Sequence, residues 1–456
     1  MKRLLLVVLL CSLSPPALGL VRTVGTGRDY TVMATAFAAL VSGDTVESYG
    51  PYTETNQTLA PPAGIVNVIW RHYGADYVFD GTAATSVFLT LAATNTGWDV
   101  NVRSTTGRVK VTGYIGAQPF VVSGASNVIA GFWLTANGAI GVYQQTLVVN
   151  ADFNEIGDIL IDYPVDAAGV SWIGVYLLSG AGVVVRDVTI KNVTRTLAGS
   201  TYGVISATAA LVASPLIERL TVRDVSCGAA FYGAYLPGVN GYATIVDSSV
   251  YGITAGGIIN GFYLSNRSAS LVNLHVYGTS SPTTEKAIGF AGTQVGMPTD
   301  SNVDNCTVVG GEYGIFMADA PVGGDRFVSN CISHGAATSE LSTVAGGVTG
   351  STNNWATNNR YSVDWPVSAT DLSGDPVFVD SVNNNYRLRW QPGVESPCID
   401  SGTPVPFRVM DLDGQPISGP AQDRGCFEFQ QVGSHDARTP LTAPVLTTTR
   451  NFRSTR

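Results

Sequence analysis

Five carboxylates fall within residues 152–166: Asp152, Glu155, Asp158, Asp162 and Asp166. Two such groups held at a suitable separation can act as acid and base, or acid and nucleophile, in glycoside hydrolysis. The same oxygens could instead hold Ca2+, which takes carboxylate ligands. In an elimination, that ion would neutralise an acidic sugar while a basic residue removed the proton. Asp152, Glu155 and Asp158 are the candidate catalytic residues, and Ca2+ is the cofactor such a cluster would suit. The competing reading is a solvated loop whose charge does no chemistry.

A second set is aromatic. Tyr176, Tyr235, Tyr263 and Phe316 each stand two residues after a glycine. Facing outward, they would form a platform for the apolar faces of sugar rings, with polar tips left for hydroxyls. Facing inward, they are core. Simple strand alternation puts the glycine and the aromatic on one face, opposite Val175, Val204, Ala234 and Phe262. Both faces are apolar, and on balance the column reads as core. If it faces outward, Tyr176, Tyr235 and Tyr263 are the substrate-binding residues.

The remaining polar signals read as structural. Asp187, Arg219, Asp247, Asn273, Asn305 and Asn330 recur at one phase of a repeat, where Asn and Asp satisfy backbone groups at turns. Arg219 is expected to pair with Asp187 or Asp247. His72, His275 and His334 have no partner at metal-ligand spacing, so no metal centre is assigned. Asp411–Gly414 (DLDG) is an incomplete echo of a calcium loop.

What must position these side chains is a repeat. A Gly-apolar-apolar element recurs at residues 141, 174, 203, 233, 261, 289 and 314. A companion column reads VRDVTI from 185, IERLTV from 217, IVDSSV from 245, LVNLHV from 271 and VDNCTV from 303, with a looser VSNCIS from 328. Each is a short strand bounded by Gly, Asn and Ser turns. A unit of 25–33 residues cannot bury its own apolar face, so the units must stack. Short strands stacked in register make a parallel β-helix, with Ile190, Val222, Val250, Val276 and Val308 lining up inside. About eleven rungs between residues 45 and 365 would give a rod of about 50 Å, at roughly 4.8 Å per rung.

Composition agrees with an all-β chain. Only 13% of residues are charged, and Gly supplies 51 of 456. Residues 1–19 read as an export signal: Lys2 and Arg3, then apolar Leu4–Leu13, then Ala17-Leu18-Gly19 as the cleavage site. Leu9 and Leu10 stand where a lipoprotein signal at Cys11 would need small residues. Removing the signal's two basic residues leaves 25 − 2 = 23 basic against 34 acidic, a net charge of −11. That balance repels phosphate backbones and argues against a nucleic-acid partner. No later stretch is long and apolar enough to span a membrane. Export permits disulfides, and the mature chain has five cysteines: Cys227, Cys306, Cys331, Cys398 and Cys426.

The two ends carry a resemblance. VGTGRDYTVMATAFAALVSGDTVESYGPYTE, residues 24–54, resembles the opening of secreted pectin-lyase-like right-handed β-helix proteins, with a cap helix at Met33–Leu40. The segment GDPVFVD…NYRL…SPCIDSG…DLDGQPI…DRGCFEF looks like the C-terminal closure of bacterial β-helix proteins of the choice-of-anchor type. The resemblance spans about residues 22–430 and implies fold more than activity. Pectin methylesterases share the Gly-x-Tyr-x-Glu opening found at Gly50, Tyr52 and Glu54. Their Gln-Asp and Asp-Phe-Ile-Phe-Gly motifs are absent, as are the Asn-Thr-Asp, Asp-Asp and Gly-His-Gly set of polygalacturonases and the Trp-x-Asp-His of pectate lyases.

The expectations are therefore these. Residues 1–19 are a signal peptide, 20–365 a right-handed parallel β-helix with an N-terminal cap, 366–430 a closure folded over the last rung, and 431–456 a disordered tail. In the closure, Cys398 and Cys426 are the expected disulfide. The protein acts outside the cell or at its surface on a polysaccharide or cell-surface glycan, by binding or by lyase or hydrolase chemistry. The alternative is a non-catalytic, adhesin-like envelope protein.

Overall fold

The computed structural model describes residues 19–430, apart from 85–86, 103, 115–117, 136–143, 163–170, 197–198, 208–211, 239–241, 266, 292–299, 319–324, 345–346, 359–360, 406–409, 418 and 420. The signal segment up to residue 18, the tail 431–456, Gly141 and Asp166 lie outside the described residues.

The chain winds into a parallel β-helix of about ten turns, close to the eleven expected. Each turn places one strand in an 11-stranded sheet, whose main ladder runs through ten strands from Leu89–Leu91 to Ser339–Thr343. The rest of the turn goes to a 20-stranded sheet that wraps the other sides. One turn runs through Phe231–Pro237, then Tyr242–Ala255, then back to Ile259–Ser265 in the first sheet. The long middle strand bends at Asp247 and Gly252, both at positive φ (50° and 65°).

The repeats stack as their pattern requires. Val185, Ile217, Ile245, Leu271, Val303 and Val328 are successive partners across rungs. Ile190, Val222, Val250, Val276 and Val308 are likewise in register and fully buried. The column also continues downward through Ile156 and Ile129, copies too divergent to recognise by sequence. One glycine hit is out of phase. Ile288 pairs with Phe262 and Ile315, which puts Ala287 beside Gly261 and Gly314, while Gly289 sits against Tyr263.

The motifs of the opening serve the N-terminal cap. Helix α1 (Met33–Ala38) seals the first rungs, with the Phe37 ring edge-on to Trp70 at 5.3 Å. It is two residues shorter than expected. Glu54, 5% exposed, accepts the Met33 amide at 2.8 and 3.1 Å and a further bond from the Tyr77 hydroxyl, so it caps the helix N-terminus. Tyr52 donates to Thr31 O at 2.6 Å. A Cβ at Gly50 would fall on the Ala75 carbonyl of the next rung, so only glycine fits. Asp44 accepts Leu20 N, Val41 N and Arg22 Nε at 2.8, 3.0 and 2.6 Å, fastening the first strand to the turn after the helix.

The C-terminal closure departs from expectation. A short plug closes the end of the rod. Trp365 enters the core cluster and donates through Nε1 to Ser351 Oγ at 2.9 Å. Asp371 accepts Asn354 N, Ser368 N and Ser351 Oγ at 2.8, 2.9 and 2.5 Å. Residues 375–430 then turn back along the wall of the 20-stranded sheet as a strap. Phe378, Tyr386, Leu388, Cys398, Cys426 and Phe427 pack there with Ile332 and Trp355 in a second apolar cluster. The expected disulfide is not formed. Cys398 and Cys426 share this cluster, but all five described cysteines are thiols.

The polar ladder explains the strap's course. Asp158, Asp187, Arg219, Asp247, Asn273, Asn305, Asn330 and Asn353 all occupy the left-handed conformation, with φ between 46° and 55°. Asn and Asp tolerate it because their short side chains bond locally. Asn273 donates to Met410 O at 3.1 Å and Asn305 to Asp423 O at 3.0 Å. Asn330 donates to Thr403 O at 2.7 Å and accepts Thr403 N at 2.8 Å. The strap therefore lies on the Asn half of the ladder. Below it Arg219 bonds Asp187 at 2.6 Å, one of its two expected partners.

Candidate binding face

Of the acidic cluster, Glu155, Asp158 and Asp162 belong to a strand of the rod and Asp152 to the turn before it, while Asp166 lies outside the described residues. Glu155–Asp162 is a strand, bent at Asp158, that pairs with Val184–Arg195. Asp152 Oδ1 accepts Ala181 N at 2.7 Å across a turn. Glu155 pairs with Arg186, Asp158 with Arg108 at 3.5 Å and Asp162 with Lys191 at 3.1 Å. Asp158 is itself a ladder residue. Asp152, Glu155 and Asp162 thus each reach a neighbouring rung for an amide or base, and Asp158 reaches two rungs down to Arg108. In DLDG, Asp411 accepts Gln415 N and Glu428 N at 2.7 and 3.0 Å, and Asp413 holds Arg387 at 2.6 Å. Among the described residues, no group of three or more His, Cys, Asp or Glu is placed to hold a metal.

The aromatic residues do come together, and they face outward. In Phe231–Pro237 the buried positions are Phe231, Gly233, Ala234, Leu236 and Pro237, while Tyr232 and Tyr235 are partly exposed. Two consecutive inward residues, Gly233 and Ala234, break the alternation assumed for the sequence, which turns the aromatic away from the core. A Cβ at Gly233 would meet Val250 of the core at 2.5 Å, which accounts for the glycine. The same pattern recurs at Tyr176, Tyr202 and Tyr263. Core packing falls instead to Val175, Val204, Ala234 and Phe262, all fully buried. The reading of this column as core is thereby corrected.

The result is a contiguous array of rings on the 11-stranded sheet. Tyr202 and Tyr232 stack at 5.0 Å and 11° between planes. Tyr232 and Tyr235 stack at 5.0 Å, and Tyr235 meets Tyr263 at 5.6 Å. Tyr202 and Tyr232 form a row that sequence reasoning missed, because it precedes the repeating glycine and the eye follows what comes after. Further along, Lys286 Nζ lies 4.2 Å over Phe316 and 6.0 Å over Tyr263, and Tyr313 packs on Phe316 at 5.0 Å. Burial first, then neighbouring phenols, pushes Tyr232 up to about 12. Burial lowers Lys286, partly offset by Glu312. Each phenol hydroxyl can both donate and accept hydrogen bonds.

The other flagged side chains are packed. His72 Nε2 meets Ala75 O at 2.9 Å, and His334 Nδ1 meets Thr357 Oγ1 at 2.9 Å. His334 and Phe378 border a cleft of about 570 Å³ between the last rungs and the strap.

Asp304 is a titratable group the sequence did not single out. Burial raises its carboxyl to about 6, against a hydrogen bond from Ser329. A raised carboxyl stabilises the fold below its unfolded value near 4 and loses that contribution as pH rises through 6. Asp304→Asn is expected to raise the melting temperature at pH 7.5 and to leave it unchanged at pH 4. Equal shifts at both pH values would contradict this ionisation.

Neither a family model nor a curated protein matches the chain. The class the structure defines is therefore the parallel β-helix, and function must be argued from the site.

Proposed function

We propose that the protein is an extracellular glycan-binding β-helix that holds a polysaccharide along the aromatic face of its 11-stranded sheet. The observation that carries this reading is the ring array of Tyr202, Tyr232, Tyr235 and Tyr263, left partly exposed by the inward Gly-apolar bend. Apolar sugar faces stack on such rings, while the phenols and Lys286 can bond hydroxyls. The rings follow the rod axis at roughly the 4.8 Å rung spacing, which suits an extended chain. The export signal read in residues 1–19 and the resemblance to secreted β-helix proteins support a place outside the cell. Binding is preferred to lyase or hydrolase chemistry because Glu155, Asp158 and Asp162 are each engaged by a base. A surface-presented, adhesin-like rod fits the same face.

Affinity electrophoresis of residues 20–456 through gels of neutral and acidic polysaccharides, with and without Ca2+, tests this. At least one polymer is expected to retard the protein. Losing a stacked ring removes on the order of 1 kcal/mol, roughly fivefold in affinity. Joint replacement of Tyr232 and Tyr235 by Ala should therefore weaken retention about 30-fold while circular dichroism still shows a folded rod. Retention indifferent to both rings would sink the assignment. New reducing ends or unsaturated-uronate absorbance would turn it toward an enzyme.

A further inference from the structure

His275 stands in the strand Ser268–Ser280, on the wall that the strap covers. It is 4% exposed, and its Nε2 has no hydrogen-bond partner. Three rings enclose it. Tyr277, from its own strand, lies at 4.4 Å between centroids. Phe427 and Tyr386, both from the strap, meet it edge-on at 5.0 and 5.6 Å. Thr307 is its register partner on the next rung and accepts the Cys426 amide at 3.1 Å. The strap is thus fastened around an imidazole that has no acceptor for a second proton.

We propose that the strap is an acid-released latch with His275 as its trigger: protonation of the imidazole opens residues 375–430 from the wall while the rod stays wound.

The groups around the ring offer an imidazolium no counter-charge. Its own strand supplies Tyr277, and the adjoining strand Tyr242–Ala255 supplies Ser249 and Tyr251. The strap supplies Tyr386, Cys426 and Arg387, whose guanidinium lies 5.2 Å over Phe427. Asp413 is bound to that arginine at 2.6 and 2.8 Å. Burial first, then Arg387, lowers His275 to about 3. With the strap open the ring returns toward its ordinary value near 6.5. A depressed histidine gives stability that is fully present above the open-state value and is lost as pH falls toward the closed-state one. The fraction open should therefore rise about tenfold per pH unit below about 6. Asp411, Asp423 and Glu428 also accept strap amides, and comparison with His275→Phe separates any contribution of theirs.

Amide hydrogen exchange on the full chain between pH 6.5 and 4, corrected for intrinsic rates, makes the separation. The reporters are Arg424, Gly425 and Cys426, bonded to Cys398 O, Asn330 O and Thr307 Oγ1. Their protection should fall more steeply in the wild type than in His275→Phe, by about tenfold per unit, while the rung amides of Val250 and Val276 hold. Equal slopes in the two proteins would overturn the latch. So would rung amides that open together with the strap. If His275→Phe does not fold, an NMR titration of the wild-type imidazole replaces it, and an apparent value at or above 6 is the overturning result.

Discussion

Truncation after Asp364 is expected to yield aggregated protein, and truncation after Gly374 a soluble rod of reduced stability. The first removes Trp365 and Asp371, which close the end of the core, and leaves the last rung's unpaired backbone as an edge for other chains. The second keeps that plug and removes only the strap. Six strap side chains are then lost from their cluster: Phe378, Tyr386, Leu388, Cys398, Cys426 and Phe427. At about 1.5–3 kcal/mol for each large apolar side chain buried, the loss is on the order of 10 kcal/mol. The rod survives because its core is a separate cluster that the strap does not enter. Size-exclusion chromatography and circular dichroism melts of both products check the pair. A soluble, cooperatively melting product ending at Asp364 would deny the plug its role.

Asn330→Ala is expected to be among the most damaging single changes outside the core. It removes two bonds to Thr403 at 2.7 and 2.8 Å and leaves both strap groups without their partners. Each is a net loss of about 1 kcal/mol, more where the stranded group stays buried. Alanine must also hold φ at 53°, a left-handed conformation that costs roughly 1–2 kcal/mol. The total is about 3–5 kcal/mol. Asn330→Gly should recover the backbone share alone, about 1 kcal/mol, because glycine adopts this conformation freely. Denaturant melts followed by the strap's aromatic signal would show the order wild type, Gly, Ala. Equal Gly and Ala variants would mean that the left-handed turn carries no strain.

Much of the rod was legible because a solenoid writes its register into the sequence. The column beginning at Val185, Ile217 and Ile245 stands as read, since a β-branched residue on an inward strand position has one place to go. The first rungs were less legible, because Trp70, Val100 and Ile129 fill the same column without the polar residues that mark it later. That gap had a consequence for the site. Read without its rung, the copy IGDILI at 156–161 looked like an acidic loop, and Asp158 like a catalyst rather than a ladder turn. The aromatic face was misassigned for a different reason. Period two holds for a straight strand, and the inward pair Gly233 and Ala234 shifts the phase by one in the middle of it. The strap could not be read at all from local pattern, because its anchors at Asn273, Asn305 and Asn330 lie 73 to 137 residues from the backbone groups they hold.

The division of the ladder into an amide half and an ionic half also governs how such a rod could lengthen. A duplicated turn inserted among Asn273, Asn305 and Asn330 would move the strap's anchors apart by about 4.8 Å, more than a hydrogen bond can stretch. One inserted below Asp247 would move no strap anchor, since the strap's bonds to the ladder begin at Asn273. Growth by duplication is therefore tolerated at the N-terminal side and blocked at the C-terminal side. The ring array spans both sides of Asp247, so added turns would extend the lower end of the aromatic face while its upper end stayed at a fixed distance from the strap.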